Sequence, residues 1–210
     1  MGTRLIISSL LLLSCISCLH KELKPTLVIK GKILLMPPVG KAEADVKINL
    51  GQHLKNEISR MTQGRLIYAM DVPELRKVIN QQNLMPRGKI NKQELIDTAT
   101  ALYCDTVIFT ELIDTEQLPP QRMVIRILML KVSDKDVVEL SSAVLDINME
   151  SAFERKKFSK FIRHSEKAEF LDRWNGKSSD YQVDTARLSP SRFREYSACQ
   201  VAFQLYKDFK

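Results

Sequence analysis

The sequence predicts an α/β (α+β) fold, a mixed β-sheet with helices packed on it, in the order βαβααβββ plus a C-terminal helix. Three observations predict it. From residue 27 to about 114, short apolar β-rich runs alternate with stretches of helical period. Residues 121–149 hold two further apolar runs joined by a short polar turn, a hairpin. The last twenty or so residues return to a helical pattern behind a Ser-Pro start. Early βα alternation implies parallel strands, and the hairpin adds antiparallel ones.

LVIKGKILLMPPV is the first strand, ended by Pro37 and Pro38; both its faces are apolar, so it is expected at the sheet centre, with the Lys30 and Lys32 end emerging from the fold. Ile48, Leu50, Leu54, Ile58 and Met61 then recur close to helical spacing, with Asp45 as candidate N-cap and a stop at Thr62-Gln63-Gly64. RLIYAM is the second strand. Asp71 is the candidate cap of the next helix, with Pro73 in its first turn and Leu75, Val78, Ile79 and Leu84 as its buried stripe. After MPRGK a helix restarts at Asn91, with Glu94 three residues on, close to a capping box; Leu95, Ile96, Ala99 and Leu102 face inward. DTVIFTELID is the third strand, and EQLPPQ a loop, since two prolines do not fit a central ladder. RMVIRILMLKV and VVELSSAVLDINM form the hairpin around Ser133-Asp134-Lys135-Asp136. The final helix has Ser189 as N-cap, Pro190 at its first position, and Phe193, Tyr196, Val201, Leu205 and Phe209 on its apolar faces.

The start of the chain has another character. Arg4 precedes LIISSLLLL (Leu5–Leu13), uncharged and mostly apolar, and then small residues and cysteine follow. Positive, apolar and small-residue regions in that order are the layout of an export signal. The run is far too short to cross a bilayer, which takes about 20 residues. Leu12-Leu13-Ser14-Cys15 resembles the bacterial lipobox, in which the cysteine receives a diacylglycerol on sulfur and becomes the new N-terminus. Cys18 also follows a serine, but its third preceding residue is Cys15, where the lipobox prefers a branched aliphatic, so Cys15 is favoured and Cys18 is the runner-up. Plain secretion and a CxxC metal pair are the alternatives. A metal pair needs a second pair or matching histidines, and Cys104, Cys199 and His20 do not supply one, so no metal site and no cofactor is expected. The reading divides the chain into a signal peptide (1–14), a lipidated N-terminus and tether (15–26), an α/β domain (27–150), and a basic-aromatic segment with a C-terminal helix packing on that domain (151–210).

With 210 residues, 44% hydrophobic and 27% charged, the remainder is long enough for one compact domain and reads as globular. The net charge is +7 and the pI near 9.2. Behind an export signal such a charge points away from nucleic acid and toward phospholipid head groups, anionic wall polymers or an acidic protein face. In an oxidising compartment Cys104 and Cys199 can form a disulfide; beside apolar neighbours both also fit buried free cysteines.

ILLMPPVG, a helix, RLIYAM leading into DVPELRKVINQQNL, and then ELIDTATALYCDTVIFTELID together resemble the α/β domain of three envelope systems. These are the curli-secretion lipoprotein, the lipoprotein activator of peptidoglycan synthases, and the amino-terminal domain of the Tol-system periplasmic protein. The resemblance covers about residues 27–147, and it is one of pattern: Phe109-Thr110 stands where glycine often follows the third strand. It implies an envelope lipoprotein with a protein partner, and a homo-oligomer as in secretion channels is the alternative. The 121–147 hairpin carries Arg126, Lys131, Glu139 and Asp146 around a four-residue turn, which fits a sheet hairpin rather than a pore wall.

Catalytic motifs are absent: there is no HExxH, GxSxG, P-loop or GxGxxG, and His20, His53 and His164 stand apart in the sequence. The sharpest remaining feature is FERKKFSKFIRH. Read as a helix, it places Phe153, Phe158, Phe161 and Ile162 on one side and Arg155, Lys156, Lys160 and Arg163 on the other, with Glu154 and Lys157 intruding on the apolar side. Three readings stay open: packing on its own domain with solvated charges, a surface for anionic lipid, and a groove for a partner protein. Together these features predict a non-enzymatic, lipid-anchored periplasmic docking or assembly module. An oligomeric secretion-channel component and an envelope hydrolase are the alternatives. A tether of about 11 residues reaches roughly 35–40 Å at most, and Ile16 is not the aspartate of an inner-membrane retention signal, so the outer membrane, facing the periplasm, is the expected place.

Overall fold

Strand β1 (Lys32–Leu35) runs between two parallel neighbours, which explains its two apolar faces. Ile33 and Leu35 join the core on one side of the sheet, and Leu34 and Met36 the core on the other. The computed structural model describes residues 31–76, 91–170 and 188–209, the side chains of 164–170 and 207–209 excepted. The signal, the tether, Cys15, Cys18, His20, Val78, Ile79 and Leu84 lie outside the described residues.

The sheet has the order β3-β1-β4-β5-β6, with β3 (Leu66–Tyr68), β4 (Cys104–Glu116), β5 (Arg122–Val132) and β6 (Val137–Asn148). β1 pairs in parallel with β3 and β4, whereas β4, β5 and β6 form an antiparallel meander. A two-residue strand β2 (Val39–Gly40) also lies parallel to β4. There the backbone of Gly40, at φ 109°, passes so close to the Leu112 carbonyl that no Cβ fits. The expected mixed α/β class, the central first strand and both hairpin strands are thus present.

Helix α1 (Ala44–Thr62) packs with a buried stripe of Val46, Leu50, Leu54 and Ile58. Those four-residue steps leave Ile48 on the far side, 59% exposed, which corrects its expected place in the stripe. The N-cap position is Glu43 rather than Asp45, and it makes no side-chain cap bond; Asp45 sits in the first turn, favourably placed for the helix dipole. Gly51 is buried where a Cβ would collide with the Tyr68 hydroxyl, so helix propensity yields to close approach there. The helix stops as expected, with Gln63 left-handed at φ 52° and Gly64 at φ 80°.

β3 is shorter than the RLIYAM run, because the chain turns into a 3₁₀ segment at Ala69–Asp71. The Asp71 carboxylate pairs with Lys55 at 2.7 Å. Pro73 opens the following helical turn at 73–76. Helix α2 (Lys92–Ala101) has its expected cap, with Asn91 Oδ1 accepting from the Glu94 amide at 3.4 Å. Leu95 and Ala99 are buried against the sheet, with Ile96 and Leu102 packed beside them.

Helices α3 (Ala152–Phe170) and α4 (Pro190–Phe209) complete the fold. Ser189 Oγ accepts from the Arg192 amide at 3.4 Å, the cap expected for α4. One face of the sheet carries α1, α3 and α4 around Phe158, Ile162, Phe193, Tyr196, Val201 and Leu205. α2 covers part of the other face.

Candidate functional site

The side chains of α3 divide sharply. Phe158 and Ile162 are fully buried, and Phe161 packs against the same core. The Phe158 and Tyr196 rings meet edge-on with centroids 5.2 Å apart, and Phe161 lies 5.5 Å from Tyr196. Phe158 and Phe161 therefore leave the candidate membrane or partner surface: burial against α4 offers them more apolar contact than a helix face in water.

The intruding charges have partners of their own. The Tyr196 hydroxyl donates to Glu154 Oε2 at 2.8 Å, and Lys157 Nζ pairs with Glu154 Oε1 at 2.8 Å. Burial first, and then the hydrogen bond to Glu154, push the Tyr196 phenol far above its ordinary range, so it stays a donor. Lys157 Nζ also sits 4.4 Å from the centroid of the Phe153 ring, which is 65% exposed.

On the opposite side of α3, an open groove of about 380 Å³ is lined by Ala152, Arg155, Lys156, Ser159, Lys160 and Arg163. Four cations within three helical turns, with no carboxylate among the lining residues, give it a local excess of positive charge. Arg155 is oriented by donating to the Met149 carbonyl at 2.9 Å and the Glu150 carbonyl at 2.6 Å. Lys156 and Lys160 are exposed and form no ion pair with any described residue. All four predicted basic residues are thus brought together as one surface.

A second surface is the outer edge of β6. Among the described residues no strand pairs with that edge, which is twelve residues long. Its side chains include exposed Val138 (53%) and Val144 (56%). Beside it, the part of the sheet not covered by α2 carries cross-strand ion pairs: Arg122 with Asp146 at 2.8 Å and Asp114 at 3.4 Å, and Arg126 with Glu111 at 2.7 Å. The hydrogen bond from Arg122 holds the Asp146 carboxyl below its usual range.

Cys104 and Cys199 are both free, so of the two readings open to them the structure has the unpaired one. Cys104 belongs to the core on the α2 side of the sheet, while Cys199 rides on α4 across the sheet; a disulfide needs Cα atoms within about 7 Å. Burial pushes the Cys104 thiol up to about 11 and raises that of Cys199. Among the described residues no group of three His, Cys, Asp or Glu could hold a metal ion, and no helix is long and apolar enough to cross a membrane.

No family model matches the chain, and no curated protein does. Among solved structures, a hypothetical protein CT253 from Chlamydia trachomatis is 17% identical, covering 57% of this chain and 71% of that one, with a TM-score of 0.38. The PelC dodecamer from Paraburkholderia phytofirmans is 12% identical over 62% of this chain and 81% of that one, with a TM-score of 0.41. Lipoprotein GNA1162 from Neisseria meningitidis is 12% identical over 56% and 80%, with a TM-score of 0.39. With these TM-scores below 0.5, the functional proposal rests on this chain's own residues.

Sequence reading missed the β6 edge and the ion-pair ladder. The alternating charges of Arg122 and Arg126 are visible as a period of two, but strand order and register, which bring Glu111, Asp114 and Asp146 beside them, are not.

Proposed function

We propose that this chain is a non-enzymatic, lipid-anchored envelope protein whose α/β body is a docking or assembly module for a larger periplasmic machine. The anchor in this proposal is Cys15, whose sulfur receives a diacylglycerol and which becomes the new N-terminus when the leader is cut away, at the outer membrane. The lipobox-like Leu12-Leu13-Ser14-Cys15 supports it. One structural observation carries the docking role, the outer edge of β6, with which no strand pairs among the described residues. A long edge strand offers a row of backbone donors and acceptors that an extended segment of a partner can complete. Val138 and Val144 supply apolar contacts alongside it.

The same edge favours a second reading, a homo-oligomer assembled through β6. One experiment separates the two. A photo-crosslinking residue at Val138 is irradiated in intact cells, with and without Val144→Lys to block the edge. An adduct to a different envelope protein, lost with Val144→Lys, is the expected result. An adduct at twice the chain mass, lost in the same way, replaces the heterologous partner by a second copy. Absence of either adduct, or adducts indifferent to Val144→Lys, contradicts docking through this edge.

A further inference from the structure

We propose that the basic groove of α3 seats the phosphate groups of anionic phospholipids, so that the body lies with this helix against the bilayer that holds its anchor. The lining holds four cations and no carboxylate, which suits several phosphate oxygens at once. The first turn of α3 adds the positive end of its dipole, since Ala152 and Arg155 line the groove there. An acidic protein fits less well. Protein interfaces are energetically centred on buried aromatic and apolar anchors and are depleted in lysine, whereas α3 has turned Phe158, Phe161 and Ile162 into its own core. Among the described side chains of α3, the Phe153 ring beneath Lys157 stays exposed, and it can enter the headgroup layer.

Placement agrees with reach. β1 begins beside Cys104, at one end of β4. The groove lies toward the other end: α3 follows the end of β6 that pairs with Arg122, and α4, which meets α3 at Tyr196, bonds from Arg194 to Gln117 at 3.0 Å. The thirteen residues of β4 separate the two ends by about 40 Å. The chain from Cys15 to Gly31 spans up to about 55 Å when extended. A body moored at one end can therefore lie along the membrane with α3 down. This inference takes the anchor from the proposed function but uses a different surface from the β6 edge.

The test uses the full-length chain carrying Cys15→Ala and Cys18→Ala, so that the leader contributes equally to every variant. Flotation is measured with phosphatidylcholine vesicles and with vesicles containing phosphatidylglycerol. Each basic residue near an anionic surface contributes about fivefold in partition. Lys156→Gln with Lys160→Gln should therefore lower binding to phosphatidylglycerol vesicles about 30-fold, and 0.5 M salt should weaken the unsubstituted chain similarly. The control pair Lys131→Gln with Lys135→Gln removes the same charge from exposed positions on β5 and the β5–β6 turn, and should change binding little. Equal losses in both pairs would reduce the effect to bulk charge and overturn the proposal. So would saturable binding of inorganic phosphate without vesicle binding, or capture of an acidic protein from Lys156 with no lipid selectivity. Failure here with an edge-dependent adduct at Val138 leaves docking standing, and the reverse leaves the lipid site standing.

Discussion

His53 shows how position sets chemistry for a single side chain. It is half-buried on α1, and burial lowers its pKa below the ordinary value of 6.5. Glu195 and Glu57 oppose that shift, while Arg194 and Arg192 add to it. The folded state therefore favours the neutral imidazole. Its contribution is complete above the unfolded value near 6.5 and is lost as pH falls through that value toward the lower folded one. Denaturant midpoints should fall between pH 7.5 and 5, and His53→Gln should flatten that fall. An unchanged slope in His53→Gln would assign the effect to other groups. The sequence showed His53 only as a helix residue between leucines. Glu57 lies one turn on in the same helix, but Glu195, Arg194 and Arg192 come from α4, more than a hundred residues away, and no local pattern announces them.

At the scale of elements, a part-buried hydrogen bond from Tyr196 to Glu154 joins α3 and α4 among the described residues. Tyr196→Phe keeps the ring packing on Phe158 and Phe161 but leaves the nearly buried Glu154 carboxylate with its Lys157 ion pair and without the phenol donor. A hydrogen bond to a charged group is worth about 1.5–3 kcal/mol, and urea unfolding of Tyr196→Phe should show a loss of that order. A loss below about 0.5 kcal/mol would mean that the contact does not tie the helices. Element boundaries were legible wherever a cap or breaker speaks locally: Asn91, Ser189-Pro190, Gln63-Gly64 and the Ser133–Asp136 turn stand as read. Faces were less legible. Val46 and Ile48 are both apolar and both near helical spacing, and only the position of the sheet decides which is inside. On α3, Glu154 and Lys157 broke an apolar stripe for a reason, Tyr196, that lies on another helix.

For the whole molecule, the parallel β3-β1-β4 half and the antiparallel β4-β5-β6 half followed from connection length, since helices separate the former and tight turns the latter. Which strand ends at an open edge did not follow, because that depends on strand order. The resulting body has distinct surfaces: an edge suited to a partner strand and a basic helix face suited to phosphate. Both acquire meaning from mooring outside the cytoplasm, the central claim. Cells fed radiolabelled palmitate test it most directly. The account predicts a labelled chain in the membrane fraction, without its first fourteen residues, and no label after Cys15→Ala even though Cys18 remains. An unlabelled chain that keeps Met1 and fractionates with the cytosol would contradict it.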